Sequence, residues 1–116
     1  MTPRYARWRR IARQTALRSL RYARSIHDVK LVARSLLCPI DLWRYHEFSA
    51  VLDALGAPSP ILDIGSPKVL AAIVPSVSRA TVICSDIARD ALQRPEHGRL
   101  PLQCDALHLP FADASL

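Results

Sequence analysis

The first part of the chain alternates apolar and basic positions with the period of an α-helix. Over residues 4–24 the apolar side chains occupy one half of a helical wheel and the arginines crowd the other half. The apolar half comprises Tyr5, Trp8, Ile11, Ala12, Ala16, Leu20 and Ala23. The basic half, named the arginine face below, comprises Arg7, Arg10, Arg13, Arg18, Arg21 and Arg24. This pattern predicts a cationic amphipathic helix.

Two further helices are predicted by the same period. The first runs over 28–37, with Asp28 as its N-cap and Pro39 closing it. The second runs over 41–55, and Gly56 is placed to supply a left-handed C-cap. The apolar face predicted for the latter helix comprises Leu42, Tyr45, Phe48, Val51, Leu52 and Leu55. We expect this face to dock on a core.

Beyond the third helix the apolar runs become too short for helices. The runs 60–64, 80–84 and 100–104 suit buried parallel strands, and short helices over 69–74 and 87–93 separate them. Alternation of this kind predicts an α/β fold, a Rossmann-like parallel sheet preceded by the N-terminal helices, with ligands at the carboxyl ends of the strands. Because the acids at those ends must converge on one ligand, we expect the first strand in the middle.

Charge divides the chain differently from hydrophobicity. The first 34 positions hold ten basic residues and one acid, a net charge of +9, whereas the rest carries −3. We therefore expect a basic helical arm over 1–38 and a separate domain over 39–116. The three cysteines show no metal-ligand spacing, so no metal site is predicted. No apolar run approaches the ~20 residues of a membrane span, which favours a cytoplasmic protein, with membrane-surface association as an alternative.

The predicted strand ends carry acids and a glycine. Asp63 and Gly65 follow one another at the first end, where a glycine lets the backbone approach a ligand and the acid can accept from a cationic ligand or from the loop amides. Asp86 ends the second strand 21 residues after Gly65, near the ~20-residue spacing of a ribose-binding carboxylate. Asp86 alternatively caps the helix that follows. Ile87 offers an apolar surface to an adenine ring.

The third strand leads into Asp105-Ala106-Leu107-His108-Leu109-Pro110-Phe111-Ala112-Asp113-Ala114-Ser115. This stretch resembles the Asp-Ala-x-x-Leu-Pro-Phe-x-Asp-x-Ser segment of class I S-adenosylmethionine-dependent methyltransferases of the small-molecule type, and the resemblance covers about residues 41–116. It implies that Asp105 accepts from the adenine amino group, that the Ala106 amide contacts the neighbouring ring nitrogen, and that Asp86 binds ribose. The predicted cofactor site comprises Asp63, Gly65, Ser66, Asp86, Ile87, Asp105 and Ala106.

The resemblance has one departure. The family pattern places glycines at positions 65, 67 and 69, but Pro67 and Val69 occupy the last two, so a stiffer loop and a lower cofactor affinity are expected. The family sheet has seven strands, and the resemblance assigns this chain the first three, so we expect a truncated domain that is inactive alone. Methyl transfer to an unknown acceptor needs mainly positioning, and no catalytic base is predicted.

Two other functions remain open. A nicotinamide-dinucleotide domain shares the acid after the second strand, but it requires Gly-x-Gly-x-x-Gly, which residues 65–70 do not supply. A non-enzymatic protein would bind an anionic membrane or RNA through the arginine face. The charge split supports the second alternative, and an arginine-rich N-terminus also resembles an organelle presequence.

Overall fold

A computed structural model describes residues 2–56, 60–65, 68–92 and 99–116. The chain divides into two compact units, Met1–Ala54 and Leu55–Leu116. The first, the helical unit, is built from α-helices, and the second, the sheet unit, contains an open, three-stranded parallel sheet with short helices. This is an α/β, Rossmann-like arrangement preceded by N-terminal helices, so the predicted fold class is confirmed.

The helical unit contains α1 (Pro3–Ser19), α2 (Ile26–Leu37) and α3 (Leu42–Ala54). Helix α1 begins at a proline preceded by Thr2, whose hydroxyl oxygen accepts the Tyr5 N–H at 3.3 Å. Proline suits the first helical turn because it has no backbone N–H, and an N–H in that turn would have no partner within the helix. The basic helix predicted over 4–24 is confirmed as far as Tyr22, because α1 ends at Ser19 and Leu20–Tyr22 form a 3₁₀ turn, whereas Ala23 and Arg24 lie beyond the helix.

The start of α2 differs from the sequence prediction. Ser25, not Asp28, is the N-cap, and its hydroxyl accepts the Asp28 N–H at 3.2 Å while Asp28 Oδ2 accepts the Ser25 N–H at 3.0 Å. This reciprocal arrangement satisfies two backbone donors at once, which one capping acid does not. The prediction of Asp28 as N-cap was therefore wrong by one helical turn. The end of α2 at Leu37, before Pro39, is as predicted.

Trp8 forms the centre of the helical unit. It is fully buried, with the Arg4 guanidinium 4.6 Å from its ring centroid and the Tyr45 ring 5.4 Å away. Arg4 also pairs with Asp53 at 2.9 Å, which ties α1 to α3 a second time. Helix α3 thus packs with the basic helix inside the compact unit Met1–Ala54.

The predicted apolar face of α3 is correct only in part. Phe48 and Leu52 are buried, but Leu42 is 67% exposed, and on α2 Val32 is buried whereas Leu37 is 77% exposed. Periodicity identifies a wide apolar stripe, but the angle at which helices cross decides which edge of the stripe is covered. Within the described ranges, no helix is both long enough and apolar enough to cross a membrane.

The sheet unit contains β1 (Ile61–Ile64), α4 (Lys68–Ile73), β2 (Val82–Asp86), α5 (Arg89–Leu92) and β3 (Arg99–Gln103). The strands are parallel and ordered β1-β2-β3. The predicted parallel pairing is confirmed, but the prediction of β1 in the middle was wrong. Each crossover returns the chain to the strand beside the previous one, the commonest arrangement for consecutive elements.

The central strand is buried on both faces. Asp63 lies opposite Cys84, and Cys84 lies opposite Pro101, so these side chains share one face of the sheet. Cys84 and Ser85 are consecutive and both buried, which places one on each face. Pro101 is tolerated because β3 is the edge of the described sheet and needs no second ladder of hydrogen bonds.

Candidate functional site

Backbone hydrogen bonds hold the three strand ends side by side. The Gly65 N–H donates to the Ser85 carbonyl at 2.9 Å, and the Cys104 N–H donates to the Asp86 carbonyl at 3.2 Å. Because adjacent strands lie about 4.8 Å apart, the loops after β1, β2 and β3 leave the same edge of the sheet as neighbours. The structure therefore places the region of Asp86 between those of Asp63 and Asp105 at one edge of the sheet, and binding of one ligand by all three acids stays a prediction.

Asp63 is a partly buried carboxylate with little hydrogen bonding. The thiol of Cys84, on the neighbouring strand, lies 3.8 Å from Asp63 Oδ2 and is the one side-chain donor to that group among the described residues. A thiol is a weak donor, and removing a carboxylate from water is unfavourable unless stronger partners satisfy it. Asp63 is consequently suited to a ligand that carries a positive charge or N–H groups.

Gly65 adopts a left-handed backbone with φ of 62°. Apart from its own chain neighbours, no atom of the described residues lies within 4 Å of a Cβ added at this position, so those residues leave the space above the glycine open. Residues with a Cβ rarely adopt this conformation, and the open space lets a ligand approach the backbone. The next predicted site residue, Ser66, lies outside the described residues, as does Pro67.

Asp86 shapes the turn that begins α5. Its Oδ1 accepts the Ala88 N–H at 3.0 Å, within the turn that leads into α5, and a capping role for this residue stays a prediction. A carboxylate offers about four acceptor positions, and this turn is compatible with a ligand at the same side chain. Ile87, beside it, is exposed, and Gln103 Nε2 donates to the Ile87 carbonyl at 3.2 Å. Gln103 was not predicted from the sequence as a residue of this edge. It lies opposite Asp86 in the pairing of β2 with β3.

Asp105 organises a turn of its own. Its Oδ1 accepts the Leu107 N–H at 2.9 Å, and its carbonyl accepts the His108 N–H at 2.9 Å. The His108 Nδ1 lies 3.4 Å from Asp105 Oδ2, a contact that the sequence analysis did not predict. This turn holds Ala106 exposed between its two ends. A ligand at Asp105 would meet a carboxylate already oriented by the backbone.

No protein-family model, curated protein or solved structure matches this chain. Within the part of the chain that the structure describes, no group of three or more histidine, cysteine or acidic side chains has a metal-binding arrangement. The edge of the sheet at the carboxyl ends of the strands is called the carboxyl edge below. It presents three carboxylates, a left-handed glycine under open space and an exposed isoleucine. Such an edge can accept hydrogen bonds from amino and hydroxyl groups and cover part of an aromatic ring.

Proposed function

We propose that the carboxyl edge of the sheet binds S-adenosylmethionine and that the protein takes part in methyl transfer. The observation that carries the proposal is the pair of backbone bonds, Gly65 to Ser85 and Cys104 to Asp86, which bring three acid-bearing loops to one edge. An open parallel sheet binds ligands at this edge. The cofactor is proposed to be S-adenosylmethionine because the Asp105–Ser115 segment resembles a segment of methyltransferases.

Each acid has chemistry suited to a different part of the cofactor. Asp63, weakly hydrogen-bonded within the described residues, suits the positively charged methionine end, where the open space above Gly65 admits close approach. Asp86 can accept from vicinal ribose hydroxyls, and Ile87 offers an apolar surface to the adenine ring. Asp105 can accept from the adenine amino group while the Ala106 amide donates to a ring nitrogen.

The bound cofactor supplies a methyl group on a positively charged sulfur. The chain's part is to bind and orient it, because an in-line transfer depends mainly on positioning. No residue is assigned as a catalytic base, and the methyl acceptor is a partner that the described residues do not define. The nicotinamide alternative is less well supported, since residues 65–70 lack the second and third glycines of Gly-x-Gly-x-x-Gly and the Asp105–Ser115 segment resembles methyltransferases.

Calorimetry with S-adenosylmethionine and, separately, with NAD tests the cofactor class. We expect heat of binding with the first ligand and none with the second. NAD binding without any response to S-adenosylmethionine would contradict the proposal. If neither ligand binds, the double variant Pro67→Gly and Val69→Gly should recover affinity for S-adenosylmethionine, and its failure to do so would also reject the proposal.

The variant Asp86→Asn tests the proposed ribose contact without disturbing the fold. The asparagine oxygen can still accept the Ala88 N–H, so the turn is retained while the charge is removed. Charge-assisted hydrogen bonds contribute roughly 1.5–3 kcal/mol each, so cofactor affinity should fall by about tenfold or more. Asp41→Asn is the matched control, because Asp41 Oδ1 likewise accepts a backbone N–H, from Arg44 at 2.8 Å, outside the candidate site. Equal losses of affinity in the two variants would argue against a ribose-binding role.

A further inference from the structure

The arginine face is exposed in the folded helical unit, with four of its arginines on α1 and Arg21 and Arg24 just after it. All six of its arginines are exposed. The opposite side of the helix is covered, since Trp8, Ala12 and Ala16 are buried. Helix α1 therefore does not have its own apolar face available for insertion into a lipid layer. Any apolar contact that accompanies the arginines must come from elsewhere on the unit.

Exposed apolar side chains do accompany them. A shallow groove along α1 is lined by Ala6, Arg9, Arg10, Arg13, Gln14 and Leu17. Leu17 is 55% exposed within this basic surface. Arg13 Nε donates to the Leu36 carbonyl at 3.2 Å, which connects the groove to the C-terminal end of α2. The next residue, Leu37, is largely exposed.

A second group of exposed apolar residues begins just after α2. Leu42 and Trp43, at the start of α3, are both largely exposed, and Trp43 is 79% exposed. With Leu37 they flank the short connection between α2 and α3. A tryptophan and two leucines exposed within a few residues of one another are unusual for a surface that faces only water. We call Leu37, Leu42 and Trp43 the apolar anchor.

We propose that the helical unit docks on an anionic lipid surface, with the arginine face meeting the headgroups and the apolar anchor entering the interface. The unit holds eleven basic residues against four acids, a net charge of +7. Basic residues near such a surface are each attracted to it, and tryptophan and leucine favour the boundary between headgroups and acyl chains. The combination fits lipid better than RNA, because RNA would neutralise the arginines but leave the leucines in water.

Trp43 provides a direct measurement. The chain has two tryptophans, and Trp8 is fully buried, so a change in emission on binding reports mainly on Trp43. Titration of the full chain with phosphatidylcholine vesicles containing phosphatidylglycerol should shift the emission to shorter wavelength. Pure phosphatidylcholine vesicles should produce no shift, and the shift should disappear in Trp43→Phe. Added salt should weaken the binding steeply because it screens exposed charges.

Two sets of substitutions separate charge from general surface effects. The triple variant Arg7→Gln, Arg10→Gln and Arg18→Gln should bind anionic vesicles roughly 100-fold more weakly, from about 1 kcal/mol per basic residue. The matched control changes the same number of arginines in the sheet unit, Arg79→Gln, Arg89→Gln and Arg99→Gln. We expect the control to retain most of the affinity. Circular dichroism should show unchanged helix content in both.

The apolar anchor has its own pair of variants. Leu37→Ser with Leu42→Ser should reduce vesicle affinity by about tenfold or more, because each leucine loses apolar area transferred from water. Leu107→Ser with Leu116→Ser changes two exposed leucines of the sheet unit and should bind like the wild type.

Several results would overturn the proposal. They include binding to anionic vesicles without a shift in Trp43 emission, equal losses in the arginine-face variant and its control, and unchanged affinity in the variant of Leu37 and Leu42. Salt-sensitive binding to a single-stranded RNA homopolymer, with no binding to anionic vesicles, would assign the arginine face to RNA instead. None of these readouts requires S-adenosylmethionine, so they test docking separately from the proposed function.

Discussion

The helical unit and the sheet unit differ in the interactions that stabilise each of them. They also carry net charges of opposite sign. The helical unit has a net charge of +7, whereas the sheet unit has five basic residues against six acids, a net charge of −1. The basic isoelectric point of the chain is thus a property of one unit. The candidate cofactor site and the proposed lipid-binding surface lie in different units and should respond to different mutations.

The two units also differ in what fills their interiors. The helical unit is organised around one large aromatic side chain, Trp8, which contacts Tyr45 and Arg4. The described core of the sheet unit contains smaller side chains, such as Val82 and Cys84 on the central strand. In the helical unit, stability should therefore depend strongly on a single residue. Among the described residues of the sheet unit, side-chain hydrogen bonds of Asp63, Asp86 and Asp105 lie at the carboxyl edge.

The largest effect is expected from Trp8→Ala. Deleting a fully buried tryptophan removes its apolar contacts and leaves a cavity, which destabilises a protein by roughly 3–5 kcal/mol. Urea unfolding followed by circular dichroism measures the loss. Hydrogen exchange should show that the loss of protection lies in α1, α2 and α3 and spares β1, β2 and β3.

Trp43→Ala is the control for that prediction. It removes the same side chain from a position that is largely exposed, so the free energy of unfolding should change by no more than about 0.5 kcal/mol. Equal destabilisation by the two variants would show that Trp8 does not have the central role assigned to it. Loss of protection in β2 after Trp8→Ala would show that the two units do not unfold separately.

Gly65→Ala and Gly56→Ala form a matched pair within the sheet unit. Both glycines have φ of 62°, and an added Cβ contacts no described atom within 4 Å in either case. Each substitution should destabilise the chain by about 1–2 kcal/mol because alanine is strained in a left-handed conformation. Only Gly65→Ala should also weaken S-adenosylmethionine binding, measured by calorimetry. Equal effects of the two variants on binding would remove Gly65 from the candidate site.

The smallest effect is expected at the start of α2. Ser25→Ala deletes the side-chain oxygen that accepts the Asp28 N–H and should reduce stability by about 1 kcal/mol. Ser35→Ala, within the same helix, removes a hydroxyl that only donates to the Leu31 carbonyl at 2.9 Å and should change stability by less than about 0.5 kcal/mol. Thermal unfolding of both variants checks the ranking. A larger loss in Ser35→Ala would contradict the capping interpretation.

Much of the candidate site could be predicted from sequence because its residues follow strands. Asp63, Gly65 and Asp86 lie at the ends of apolar runs, and parallel pairing brings such ends to one edge. The contacts among neighbouring strands could not be predicted in the same way. The Cys84 thiol reaches Asp63 and the Gln103 amide reaches Ile87 only because of the pairing register, which periodicity alone does not specify.

The sequence by itself determined the alternation of strands and helices, the arginine face and the left-handed position at Gly56, because these depend on local spacing and on single residues. The tertiary structure decided that β2 is central, that Trp8 packs against Tyr45, and that Leu37 and Trp43 stay exposed. These features depend on which apolar surfaces meet. Many apolar residues are available to cover a given core, and only the packing of the whole unit selects among them.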